Sequence, residues 1–74
     1  MYTTFTFVES KTKGLARQAR DILNIVEAKA EISKEDLIAQ IVLDVKSKQK
    51  AERLLSYYKG QLITTGCMEE RKHG

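Results

Sequence analysis

Seventy-four residues suffice for one small domain, and a single cysteine, Cys67, excludes an internal disulfide and suits a reducing compartment. One cysteine and one histidine are too few for a structural zinc site, and the longest apolar run, Ile41-Val42-Leu43, is far short of a membrane span. The net charge of +3 is modest, and the opening MYTTFTFVESKTK lacks the basic-then-apolar order of a secretory signal, so a cytoplasmic protein without metal or membrane contact is expected.

A chain this short buries little, and ordering it costs roughly 1.5 kcal/mol per residue, which nearly cancels the gain from burial. Self-association is the remaining source of buried surface, so a homodimer is expected.

Tyr2 to Val8 alternates threonine with aromatic and branched residues, as a strand does, placing Phe5 and Phe7 on one face and Thr4 and Thr6 on the other. Ser10 or Thr12 then offers a helix cap. Leu15, Ala19, Ile22, Leu23, Val26 and Ala30 follow at helical spacing, with Arg17, Arg20, Asn24 and Glu27 off the stripe. This reads as the longest helix of the chain. Ile32 is expected to be buried between helices, as a very short strand.

Ser33 with Asp36 three residues later has the spacing of an N-cap, and Glu35 adds negative charge where the helix dipole is positive. A second helix therefore begins at about Lys34, turning Leu37, Ile38, Ile41 and Val42 inward. No glycine or proline interrupts Leu43-Asp44-Val45-Lys46. A break is nonetheless expected there, because Val42, Leu43 and Val45 do not lie on one stripe and Ser47 can cap a new helix. That third helix turns Ala51, Leu54, Leu55 and Tyr58 inward, and Gly60 is placed to end it. Gln61 to Met68 reads as a closing strand and residues 69–74 as a charged flexible tail, leaving one domain over residues 1–68.

Charge is unevenly spread. Residues 31–44 set Glu31, Glu35, Asp36 and Asp44 against Lys34, a balance of −3. Residues 46–59 set Lys46, Lys48, Lys50, Arg53 and Lys59 against Glu52, a balance of +4. An acidic segment is followed at once by a basic one.

The stretch Ile22-Leu23-Asn24-Ile25-Val26-Glu27-Ala28-Lys29-Ala30-Glu31-Ile32-Ser33-Lys34-Glu35-Asp36-Leu37 resembles the front of a winged-helix domain. In that superfamily a helix with an "IL…I" stripe leads to a short "E-I-S" segment and a capped second helix. A four-residue turn, the basic helix from Ser47, and Gly60-Gln61-Leu62-Ile63 at the entry to a wing continue the likeness, which covers about residues 15–65. It implies a mainly α fold with a small β component: three helices and a short or reduced wing. The N-terminal strand pairing with the C-terminal strand is one way to replace the missing wing strand. Small regulators of archaeal plasmids and viruses resemble this compact form.

The resemblance also implies binding of double-stranded DNA, as a sequence-specific regulator of transcription. An α-helix fits the major groove, and a helix-turn-helix offers the N-terminal half of its second helix to base edges. Ser47, Lys48, Gln49 and Arg53 are the expected base contacts, each well-made pair contributing about 1–3 kcal/mol of discrimination. Lys34, Lys46, Lys50, Tyr57 and Lys59 are the expected phosphate contacts, with Arg71 and Lys72 adding non-specific attraction. The protein would then be nucleoid-associated.

No enzyme is expected. His73 is one residue from the end, Glu35-Asp36 is explained by helix capping, and the glycines are isolated, so neither a catalytic base nor a phosphate loop is legible and no cofactor is implied. Two other readings compete. A ribbon-helix-helix dimer also opens with a strand, but Tyr2 to Phe7 carries no basic side chain to read a groove. A helical protein-interaction module would follow if residues 34–59 formed one unbroken helix.

Overall fold

The computed structural model describes residues 2–8 and 14–74. Six elements run in the order β1 (Tyr2–Phe7), α1 (Arg17–Lys29), β2 (Glu31–Ser33), α2 (Lys34–Val45), α3 (Lys48–Thr64) and β3 (Met68–His73). The chain is mainly helical with one small antiparallel sheet, as expected. Its strand order is β2-β1-β3, so the N-terminal strand is the middle one.

Alternation along β1 sorts the sheet into two faces. Phe5 lies opposite Ile32 of β2 and Glu70 of β3, and Phe7 lies opposite Met68. Phe5, Ile32 and Met68 are buried against the helices, and Phe7 packs beside them. The other face carries Tyr2, Thr4 and Thr6, with Glu31, Ser33, Glu69, Arg71 and His73 as their cross-strand neighbours. A polar cluster ties its three strands. The Thr4 hydroxyl is 2.9 Å from His73 Nε2 and donates to Glu31 at 3.4 Å, while His73 stacks on Tyr2 at 4.5 Å between ring centroids. Hydrogen bonding on both sides is why Thr4 can be buried without cost to a lone polar group.

The helices contribute the rest of the core. Ala19, Ile22, Leu23 and Val26 come from α1, Leu37 and Ile41 from α2, and Ala51, Leu55 and Leu62 from α3. The stripe read for the first helix is thus the buried one, except at its ends. Leu15 is half-buried before the helix begins, and Ala30 is an exposed C-cap with φ of 63°, not a core residue. Ser10 and Thr12 lie outside the described residues. The N-cap is Ala16, whose side chain makes no capping bond.

Several expectations for the C-terminal third are overturned. With 17 residues α3, not α1, is the longest helix, because Leu62 continues the stripe of Ala51, Leu55 and Tyr58 through Gly60. Gly66, with φ of +80°, ends it instead. Cys67 N–H donates to the Leu62 carbonyl at 2.9 Å and Gly66 N–H to that of Ile63 at 3.1 Å, the two bonds of a Schellman cap. Cys67 and Leu62, both buried, supply the apolar contact that accompanies it.

Consequently Gln61–Thr64 is helix and no strand spans 61–68. Residues 69–74 are no flexible tail either: Met68–His73 pairs with β1 along its whole length. The pairing of N- and C-terminal strands is present, with a different C-terminal segment from the one expected. Ile38, Val42, Leu54 and Tyr58, read as inner residues, are half-buried at the margin of the core.

Candidate nucleic-acid interface

The corner between α2 and α3 is made by two residues, not the four expected, because α2 runs on to Val45. Lys46 closes α2 in the left-handed conformation, φ 60° and ψ 29°, and donates its N–H to the Val42 carbonyl at 2.7 Å. Ser47 is extended and caps α3, its hydroxyl accepting from Lys50 N–H at 3.3 Å. At the start of α2, Ser33 accepts from Asp36 N–H at 3.1 Å in the same way. Both caps fall where the sequence places them. A lysine takes the left-handed residue's place without a glycine, which is why no breaker is legible in Leu43-Asp44-Val45-Lys46.

The corner frees one side of α3. Ala51, Leu55 and Leu62 are buried, and at about 100° per residue the opposite side carries Gln49, Arg53, Ser56 and Gly60, all exposed. Gln49 and Arg53 are one turn apart on this ridge. Lys50 and Tyr57 share one flank of it. Tyr57 is 76% exposed and meets Tyr58 edge-on at 4.8 Å, while the Tyr58 hydroxyl donates to Gln18 of α1 at 2.8 Å and pins α3 in place.

Not every expected contact joins this ridge. Lys48 is exposed on the other flank, where it lines a groove between α2 and α3 with Glu35, Glu52, Ile38 and Val42. Ser47 is half-buried and its oxygen is engaged by the cap. Lys59 is turned toward the sheet, its Nζ 3.1 Å from Glu70 Oε2. Lys34 is exposed at the far end of α2 from the corner, roughly 16 Å along the axis from Val45 at 1.5 Å per residue. Lys46 is exposed in the corner itself. Arg71 and Lys72, read as part of a tail, are exposed on β3, with Arg71 3.9 Å from Glu69.

Gly60 was not legible as surface of this ridge, because the sequence reading ends the helix at Lys59; Ser56 lies within that helix and was simply not singled out. Leu62, at helical spacing from Leu55 and Tyr58, is the signal that extends it. Among the described residues no helix is long and apolar enough to cross a membrane. Comparison of the chain with protein-family models, with curated proteins and with solved structures finds no match.

Proposed function

We propose that this protein binds double-stranded DNA by setting α3 in the major groove, as a small helix-turn-helix regulator of transcription related in plan to winged helices. One observation carries the reading: the chain turns at Lys46-Ser47, and beyond that corner α3 offers Gln49 and Arg53 outward, one turn apart, while its opposite side is held in the core. Gln49 suits adenine and Arg53 guanine, each through paired hydrogen bonds. Lys46, Lys50 and Tyr57 are exposed beside them and would meet phosphates.

Topology supports part of the winged-helix plan, although Gly60-Gln61-Leu62-Ile63, read as the entry to a wing, lies inside α3. β2 sits between the first two helices and β3 follows the third, in one sheet. A wing would be a hairpin after α3. Among the described residues one strand, β3, follows α3, and β1 occupies the middle of the sheet, so the proposed contact is carried by α3 and the corner before it. Two features weigh against the competing readings: α2 and α3 are separate helices where the interaction module was tied to one unbroken helix, and β1 has a neighbour on each edge where a ribbon-helix-helix strand pairs with that of a second copy. The role is binding without chemistry, with no cofactor, and it is exerted as a homodimer on paired half-sites.

The test is an NMR titration with a random-sequence duplex, repeated over a range of salt. Amide shifts should concentrate on residues 46–57, and log K should fall against log salt with a slope of about −0.9 for each phosphate neutralised. Absence of binding at low salt, or shifts confined to the sheet, overturns the reading.

A further inference from the structure

The sheet has two unequal edges. β2 is three residues long, whereas β3 is a six-residue strand at the other margin. Val8 N–H donates to the Cys67 carbonyl at 3.0 Å, so even-numbered residues of β1 turn their backbone toward β3, and Glu69, Arg71 and His73 answer them. By alternation Met68, Glu70 and Lys72 point their N–H and C=O groups away from β1. No strand among the described residues lies beyond them.

We propose that this edge is the homodimer interface, β3 pairing antiparallel with β3 of a second copy to make one six-stranded sheet. A two-fold axis between such edges stands perpendicular to the sheet and keeps both helical layers on one side. Directly opposed residues must then share a face, which limits the register. The sequence Glu69-Glu70-Arg71-Lys72-His73 runs from acid to base, so reversing one copy sets acid against base.

Centred on Arg71, the pairing opposes Glu70 to Lys72 of the second copy, and Glu69 to its His73, each twice. Centred on Glu70, it gives only the two Glu69–Arg71 pairs and sets two Glu70 carboxylates face to face. Each register holds two ion pairs and one like-charged pair, and the two further Glu69–His73 contacts, in which an imidazole faces a carboxylate, select Arg71 as the centre. Glu70 already meets Lys59 from α3 at 3.1 Å, so Lys72 of the second copy would complete a chain of three charges.

This rests on the self-association part of the function proposed above, and its test uses no DNA, so it can fail without touching the case for α3. Sedimentation equilibrium of the full chain should give a dimer mass. Amide hydrogen exchange of Glu70 and Lys72 should slow as protein concentration rises. Lys72→Pro removes an N–H that β1 does not use, and should weaken the dimer about tenfold or more with little change in the β1 amides. Lys72→Glu, which keeps the backbone and opposes two acids, should weaken it as well. A monomer at every concentration overturns the proposal, as does a dimer in which the Glu70 and Lys72 amides stay unprotected; a charged edge that keeps copies apart would give the first result.

Discussion

Gly60 and Gly66 obey one rule in opposite ways. Gly60 lies inside α3 with open space where a Cβ would stand, so Gly60→Ala should raise stability by about 0.5–1 kcal/mol through lost freedom of the unfolded chain. Gly66 has φ of +80°, and Gly66→Ala should lower stability by roughly 1–2 kcal/mol even though its space is equally open. Thermal melts of the pair separate them, and a destabilised Gly60→Ala would mean that the helix ends where the sequence alone suggests. On the binding ridge, Arg53→Ala should cost about 1–3 kcal/mol of DNA affinity and relax selection at one base position, while Lys50→Ala, on the flank proposed to meet phosphates, should weaken all sequences alike. Selection assays against a randomised duplex distinguish the two effects. Were Gln49→Ala and Arg53→Ala both without consequence, the recognition ridge would be misassigned.

At the scale of elements, the corner between α2 and α3 is decided by conformation and capping, not by a breaker residue. Lys46 pays the left-handed penalty and Ser47 offsets part of it by capping α3. Ser47→Ala should therefore lower stability by about 0.5–2 kcal/mol. Lys46→Gly separates backbone from charge. Glycine takes the left-handed conformation freely, so stability should hold or rise, while the DNA salt slope falls by about 1 if Lys46 meets a phosphate. An unchanged slope would remove Lys46 from the interface without disturbing the corner.

At the scale of the molecule, the C-terminal segment closes the sheet. Met68 is buried, β3 pairs with β1 over its full length, and Lys59–Glu70 links it to α3. Truncation after Met68 should therefore abolish or broaden the cooperative melt, whereas a flexible tail would be lost without effect. Circular dichroism of the shortened chain decides between them.

The chain's own pattern determined the stripes of the first two helices and the start of the third, both serine caps, the strand at Tyr2–Phe7 and the single buried Ile32, because each follows from local spacing. The polarity of the ridge was equally local, since Gln49 and Arg53 stand opposite the apolar stripe once the helix exists. Only tertiary structure decided the rest. Met68–His73 carries almost no apolar side chain, and its identity as a strand comes from backbone bonds to β1, a partner more than sixty residues away in sequence. Gly60 and Gly66 could each have ended the helix, and the difference came from Leu62 finding a place in the core, which outweighs the small cost of a glycine inside a helix.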